Sequence, residues 1–243
     1  MITQKLLSQN QIEDFYHDEF VANQAGDFIA LLGSVATESV NKVIDIGGGC
    51  GFFAEALQNI TNFTVRVLET DNQAINICEQ KNVEAVYGDA LKPIIVGDEH
   101  IICFNLILHH LVGESEYETY NMQGKALSVW HSSSCVIFIN EYIYESFGMS
   151  KFSGWLIYQI TSNSILSKLC ELLSKFMPSL KANTFGVGVR FRSHEEWCKM
   201  FELLGFEVVD KKIGKQEKVS LPRRLLLIKN CRRDSFLLKP IFM

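Results

Sequence analysis

The sequence predicts an α/β protein built on one doubly wound, mostly parallel sheet with helices on both faces. Apolar segments of strand length alternate five times with longer segments whose apolar residues recur at helical spacing. A glycine-rich turn, "GGGCG" at 47–51, follows the first of these strands. Alternation of this kind is typical of a parallel sheet whose crossover helices cover both faces.

Seven segments have the apolar content expected of strands. In chain order they are 42–46, 63–69, 83–88, 100–108, 135–143, 206–213 and 223–230. Helical spacing is found at 52–60, 72–82, 118–133 and 193–206. The last of these helices has both ends marked, because Ser193 and Glu196 fit a capping box and Gly205 fits a helix stop.

Two segments lie outside this alternation. Residues 1–40 are predicted to form an N-terminal helical cap, and residues 145–185 an apolar helical insertion after the fifth strand. An insertion at the carboxyl edge of such a sheet stands over the ligand crevice, which favours a lid. Additional core packing or a dimer surface fits the same composition. Because no linker or repeat interrupts the chain, we expect residues 1–243 to form a single domain.

The composition is that of a soluble globular protein. The chain has 243 residues, of which 47% are hydrophobic and 21% charged. No basic-then-apolar leader pattern opens it, and no apolar run reaches the length of a membrane span. The seven cysteines are scattered and never form a C-x-x-C pair. We therefore expect reduced thiols, no metal site and a cytoplasmic location.

The charge is distributed unevenly along the chain. From Lys211 onward there are ten Lys and Arg against two Asp and Glu, whereas residues 1–210 carry 13 against 26. The basic end could meet an acidic partner. It also fits two strands joined by a charged turn, with lysines protecting a sheet edge. The acidic remainder disfavours a broad nucleic-acid surface.

The glycine-rich turn is compatible with two ligands. "GCGFFA" at 49–54 satisfies the dinucleotide pattern G-x-G-x-x-A, and Glu69 lies 20 residues beyond Gly49. An adenosyl ligand without a pyrophosphate fits the same bare backbone. Asp45, two residues ahead of the glycines, distinguishes them: its carboxylate would repel a pyrophosphate and attract a ligand that carries an ammonium and a sulfonium.

At this point the sequence resembles a known family. "DIGGGCG" at 45–51 matches the D/E-x-G-x-G-x-G loop of class I S-adenosylmethionine-dependent methyltransferases, and "VRVLETD", "VYGDAL" and "FNLILHHL" resemble the family's next three motifs in order. The resemblance covers residues 40–145 and is closest to stand-alone small-molecule enzymes. It implies a seven-stranded sheet of order 3-2-1-4-5-7-6 with strand 7 antiparallel. It also implies that S-adenosyl-L-methionine is bound by Asp45, Gly47, Gly48, Gly49, Gly51, Glu69, Thr70, Asp89, Ala90 and Asn105.

The resemblance also suggests residues at the substrate end. His109 is at a position similar to the histidine that acts as general base in small-molecule O-methyltransferases, although "LHHL" replaces their usual L-H-D-W. His109 could instead line the pocket. Glu141 could orient this histidine or bind substrate, or it could cap the following segment. Tyr16, His110 and Tyr144 are further candidates for substrate binding.

These features together predict a methyltransferase that acts on a small molecule, with oxygen as one possible acceptor atom. The base-holding sequence N/D-P-P-Y/F and the Pro-Cys nucleophile of nucleic-acid methyltransferases are both missing from the sequence. An NAD-dependent oxidoreductase and a non-catalytic cofactor-binding module are the alternatives. The acceptor and the oligomeric state are left open, and a dimer through the helical segments is compatible with the pattern.

Overall fold

The computed structural model describes residues 18–33, 41–131, 135–149, 151–175 and 186–241, and a seven-stranded sheet runs through them. The order across the sheet is β3-β2-β1-β4-β5-β7-β6. Every neighbouring pair is parallel except those of β7, which is antiparallel to both β5 and β6. The predicted sheet order is therefore confirmed. The strands are β1 (Lys42–Ile46), β2 (Thr64–Glu69), β3 (Glu84–Tyr87), β4 (Ile101–Asn105), β5 (Val136–Ser146), β6 (Phe206–Lys212) and β7 (Ile228–Pro240).

Several helices begin where the sequence supplies a capping side chain. Asp71 and Ser115 each accept a hydrogen bond from a backbone N–H in the first turn of the helix that follows. Ser193 and Glu196 form the complete capping box, as predicted. The helices are α1 (Asp18–Leu32), α2 (Phe52–Ile60), α3 (Asn72–Gln80), α4 (Glu116–Ser128), α5 (Phe152–Ser162), α6 (Ser164–Ser174), α7 (His194–Leu203) and α8 (Leu221–Arg224).

Buried side chains lie on both faces of the sheet because successive residues of a strand point in opposite directions. Ile44 belongs to the layer covered by α4 and α7, where Trp197 is fully buried. Val43 belongs to the opposite layer, covered by α1 and α2. In that layer the ring of Phe28 packs edge-on against Phe138 with centroids 5.2 Å apart. These two layers hold the carboxyl ends of β1, β4 and β5 in fixed positions.

The prediction of a strand over 223–230 is wrong in its first half. Ser220 and Pro222 begin the short helix α8, and Leu227 then turns the chain with a φ of 59° before β7 starts at Ile228. Pro is favoured at the start of a helix, and a short apolar run fits a buried strand or a helix equally well. The final strand therefore begins five residues later than predicted, and it continues to Pro240 rather than ending at 230.

The ends of β4 and β5, which lie near the candidate site, also differ from the prediction. β4 ends at Asn105 rather than 108, because Leu106 has a φ of 55° and a 3₁₀ turn follows at Leu108–His110. β5 continues to Ser146, which pairs with Ile228 of β7, so the helices of the insertion begin at residue 152 rather than 145. Residues 1–17, 34–40 and 176–185, and with them Tyr16, lie outside the described residues. Within the described ranges, no helix combines the length and apolar character that crossing a bilayer requires.

Candidate functional site

The turn between β1 and α2 brings bare backbone to the carboxyl edge of the sheet. Gly47 and Gly51 have φ angles of 66° and 71°, which favour glycine. A Cβ on Gly47 would lie 2.7 Å from the side chain of Ile107, and one on Gly51 would lie 2.8 Å from Sγ of Cys78. Around Gly49, by contrast, a Cβ would meet nothing within 4 Å. Side chains therefore pack against the turn at Gly47 and Gly51, whereas the backbone at Gly49 is open and a ligand can approach it there.

Glu69, the last residue of β2, fixes this turn. Its Oε2 accepts a hydrogen bond from the backbone N–H of Gly49 at 3.0 Å. Its Oε1 accepts from the backbone N–H groups of Thr70 at 2.7 Å and Asp71 at 3.1 Å, and from the Thr70 hydroxyl at 3.2 Å. An ionised carboxylate offers about four acceptor positions. Among the contacts of the described residues, Oε1 accepts three hydrogen bonds and Oε2 accepts one, so Oε2 has an acceptor position left beside Gly49, and Thr70 acts here as a partner of Glu69.

Asp45 lies beneath the turn and is fully buried. Its Oδ1 accepts a hydrogen bond from Nδ2 of Asn105 at 3.0 Å. Among the described residues, Oδ2 of Asp45 and Oδ1 of Asn105 are buried acceptors without a partner. Burial raises the pKa of Asp45 to about 7, with a smaller contribution from the negative charge of Glu69, and the bond from Asn105 opposes this rise. A Cβ on Gly48 would lie 2.4 Å from Oδ2, so this carboxylate requires glycine above it.

The end of β3 brings a second acidic side chain to the same edge. Asp89 is half-buried, and its Oδ1 accepts a hydrogen bond from the backbone N–H of Leu91 at 2.8 Å. Ala90 beside it is buried. The backbone N–H of Gly88 donates to the carbonyl of Glu69 at 3.0 Å, which holds the end of β3 against the end of β2. The two acidic residues of the second and third motifs therefore lie at the carboxyl ends of neighbouring strands.

His109 and Glu141 form a buried pair at the ends of β4 and β5. Nδ1 of His109 lies 2.7 Å from Oε2 of Glu141, and Oε1 of Glu141 accepts from the backbone N–H of Leu108 at 2.8 Å. Glu141 is fully buried and His109 nearly so. Because an ionised carboxylate can only accept, it holds the proton of a neutral histidine on Nδ1 and leaves Nε2 with a free lone pair. The geometry thus favours the orienting interpretation of Glu141 over a capping role.

An aromatic stack continues from this histidine. Phe191 lies between His109 and Tyr144, with ring centroids 4.8 Å and 4.3 Å away. His110 lies against His109 at 4.2 Å, and burial, aided by the neighbouring histidine, holds its pKa well below the usual range. Burial also raises the pKa of Tyr144 well above its usual value. His110 and Tyr144 are therefore neutral near pH 7, and neither could serve there as a charged group.

Two residues of this site were missed by the sequence reasoning. Phe191 provides the middle ring of the stack, and Gln123 of α4 donates from Nε2 to the carbonyl of Leu108 at 2.9 Å. Oε1 of Gln123 in turn accepts from Nε of Arg192 at 2.6 Å. Both residues come from segments that carry no motif, so only the folded chain brings them to the histidine.

Several solved structures share this fold at low sequence identity. A methyltransferase from Clostridium acetobutylicum, S-adenosylmethionine-dependent by description, has a TM-score of 0.59 at 10% identity over 95% of both chains. The mitomycin 7-O-methyltransferase MmcR has a TM-score of 0.55 at 13% identity, over 91% of this chain and 54% of its own. Phosphoethanolamine N-methyltransferase 2 from Haemonchus contortus, solved with S-adenosylhomocysteine, has 0.55 at 10% identity, over 98% of this chain and 61% of its own.

These similarities establish the fold. The chain has the seven-stranded architecture of class I methyltransferases, with the antiparallel seventh strand that the sequence resemblance implied. No protein-family model and no curated protein sequence matches it. The structural relatives include enzymes named for transfer to oxygen and to nitrogen.

Proposed function

We propose that the protein transfers a methyl group from S-adenosyl-L-methionine to a small-molecule acceptor. The observation that carries this proposal is the pair of buried acceptors on Asp45 and Asn105 that lack a donor among the described residues. A buried polar atom without a partner costs free energy, and an ammonium group offers three donors. The amino-acid end of S-adenosyl-L-methionine carries such a group, whereas a pyrophosphate would be repelled by Asp45.

The rest of the cofactor fits the residues beyond Asp45. Glu69 keeps a free acceptor position on Oε2 next to the open backbone of Gly49, which suits a ribose hydroxyl. Oδ2 of Asp89 and the backbone N–H of Ala90 suit the amino group and a ring nitrogen of adenine. These roles follow the family resemblance, and the position of each residue at the carboxyl edge supports them.

The protein needs to contribute few chemical steps to this reaction. When bound, S-adenosyl-L-methionine supplies a methyl group already activated on a sulfonium. The chain aligns the acceptor, excludes water and removes a proton where the acceptor carries one. His109 would take the proton of an acceptor hydroxyl on Nε2, and Glu141 would stabilise the imidazolium that forms.

We propose that the insertion forms a wall of the acceptor site. A Cβ on Gly154 of α5 would lie 2.0 Å from the backbone carbonyl of Phe191, so this helix packs directly against the segment that carries the middle ring of the stack. The hydroxyl of Tyr158 donates to the carbonyl of Gly113 at 2.9 Å, close in sequence to the 3₁₀ turn that carries His109. We therefore propose that α5 and α6 form a lid within a single domain.

Calorimetry tests the cofactor assignment. We expect near-equimolar binding of S-adenosylhomocysteine, no detectable binding of NAD, and loss of binding in Asp45→Ala. Glu207→Ala, at an exposed position of the edge strand β6, is the matched control and should bind normally. Binding of NAD without S-adenosylhomocysteine would instead assign the site to an oxidoreductase.

A second experiment identifies the acceptor and tests for catalysis. Wild-type protein is incubated with a metabolite extract and S-adenosyl-L-methionine labelled on its methyl group, and the compound that gains the label is identified. With that acceptor, Glu141→Gln should lower kcat with little change in cofactor affinity, because the amide no longer stabilises a charged histidine. If cofactor binds and no compound is labelled in any extract, that result would favour the alternative of a non-catalytic binding module.

A further inference from the structure

An exposed apolar surface lies where β5 ends and β7 begins. We call it the corner surface and define it as the turn 147–149 together with the segment 220–229. Its large apolar side chains are unusually exposed: Phe147 48%, Met149 64%, Leu221 80%, Leu225 73% and Leu227 39%. Single exposed apolar residues are common, but a contiguous group of them marks an interaction site.

The two parts of the corner surface are adjacent because β5 and β7 pair. Ser146 lies opposite Ile228, and the backbone N–H of Phe147 donates to the carbonyl of Leu227 at 3.0 Å. Leu227 has a φ of 59°, a conformation that costs a leucine about 1 kcal/mol or more. The strained turn holds this leucine at the surface beside Phe147.

The charge of the corner surface has one sign. Arg223, Arg224 and Lys229 belong to it and Lys218 precedes it. Within the described part of the chain, neither arginine has a carboxylate within 4 Å of its guanidinium, since neither appears in an ion pair. Of the two acidic residues after Lys211, Asp234 is fully buried and Glu217 alone is exposed. The corner surface is therefore both apolar and cationic.

This combination selects among three kinds of partner. A second copy of the chain, paired through a two-fold axis, would bring two surfaces of the same positive charge together. A nucleic acid would satisfy the arginines and leave the exposed leucines in water. An anionic lipid surface satisfies both, because its headgroups attract Lys and Arg while leucine and phenylalanine enter the headgroup boundary.

We propose that the corner surface binds the surface of an anionic lipid bilayer. It lies at the same edge of the sheet as the candidate site, since Tyr144 of the aromatic stack pairs with Cys231, three residues after Ile228 at the start of β7. Binding in this orientation would bring the carboxyl edge of the sheet, where the candidate site lies, close to the lipid interface. The proposal does not depend on the methyltransferase assignment, because vesicle binding is measured without cofactor or acceptor.

Vesicle flotation tests the proposal with the whole chain. We expect wild-type protein to float with phosphatidylcholine vesicles that contain about 30 mol% phosphatidylserine, and not with pure phosphatidylcholine. Arg223→Ser combined with Arg224→Ser should weaken binding about 30-fold, which corresponds to about 1 kcal/mol per lost charge. Leu221→Ser combined with Leu225→Ser should weaken it by about 30-fold or more.

Matched control residues lie near the C-terminal end of α7, on the edge of the sheet opposite to the corner surface. Leu203 is 68% exposed and Lys199 is exposed, and the helix ends near Gly205 at the other edge of the sheet. Leu203→Ser combined with Lys199→Ser should bind vesicles like the wild type. Because the substituted side chains are exposed, apart from the half-buried Arg223, thermal unfolding should confirm that each variant is folded.

Three outcomes would overturn the proposal. The first is wild-type protein that stays unbound to anionic vesicles at low salt. The second is concentration-dependent dimerisation in sedimentation velocity that Leu221→Ser combined with Leu225→Ser abolishes, which would assign the corner surface to a second copy. The third is binding of a single-stranded oligonucleotide that is lost in the arginine variant while vesicles stay unbound.

Discussion

Replacing Asp45 by Asn separates the stability of the protein from its affinity for the cofactor. The amide has the shape of the carboxyl group and its oxygen can still accept from Asn105, so the packing beneath the glycine turn is preserved. What changes is the charge, which is fully buried in the wild type. We expect Asp45→Asn to be more stable than the wild type at pH 8 and to bind S-adenosylhomocysteine far more weakly.

The size of the stability change follows from the pKa of Asp45. Burial raises this pKa from 3.8 to about 7, so the folded protein holds a proton that the unfolded chain releases between those values. The free energy of unfolding therefore falls as the pH rises from 3.8 to 7 and stays low above that range. About three pKa units correspond to about 4 kcal/mol, and removing this penalty should raise the Tm by about 10 °C at pH 8.

The assay is thermal and urea unfolding of both proteins at pH 5 and pH 8, without and with S-adenosylhomocysteine. Asp45→Asn should be the more stable protein at pH 8, and the difference should shrink at pH 5. Removal of the charge that pairs with a buried ammonium should weaken ligand binding about 100-fold or more, about 3 kcal/mol. Equal stability of the two proteins at pH 8, or unchanged affinity for S-adenosylhomocysteine, would refute this reasoning. In either case Asp45 would not be a buried carboxylate that binds the positive charge of the ligand.

Three further substitutions test other parts of the structure. His109→Ala should lower kcat about 100-fold or more and leave S-adenosylhomocysteine binding intact in calorimetry, and unchanged turnover would exclude a general-base role. Gly47→Ala should lower the free energy of unfolding by about 2 kcal/mol more than Gly97→Ala, because both positions have a positive φ but only the first would clash with a neighbour. Ser193→Ala should cost about 1 kcal/mol in urea unfolding, and no loss would mean that the capping box adds nothing to α7.

The sequence predicted the strands best where the whole strand is buried. β1 matches its apolar segment residue for residue, because Val43 to Ile46 are buried on both faces of the sheet. β7 was misplaced because its middle contains Arg232 and Asp234, which break an apolar pattern. In the fold Asp234 accepts from Nε of Arg232 at 2.8 Å and lies 2.8 Å from Nδ1 of His194. Arg232 is a close neighbour in the same strand, but His194 comes from α7, 40 residues before Asp234, so single-sequence patterning could not show that this carboxylate is fully paired.

The candidate site was predictable in its residue types more than in its contacts. The motif placed Asp45 at the glycine turn, but its complete burial and the bond from Asn105 arise from β4, 60 residues further along the chain. His109 and Glu141 were both candidates, and the structure adds the 2.7 Å contact between them. Phe191 follows no motif and comes to the histidine only through tertiary folding. The cofactor and catalytic roles of these residues remain predictions.

The unpaired acceptors beneath the glycine turn also bear on how the enzyme would release its product. Under the proposed function they hold the amino-acid end of the cofactor, and S-adenosylhomocysteine keeps that end unchanged after the methyl group has left. Asp45 and Asn105 would therefore bind S-adenosylhomocysteine as well as S-adenosyl-L-methionine. We expect S-adenosylhomocysteine to inhibit with a Ki near or below the KM for S-adenosyl-L-methionine, measured in steady-state assays. Sustained turnover would then require a second enzyme that hydrolyses S-adenosylhomocysteine.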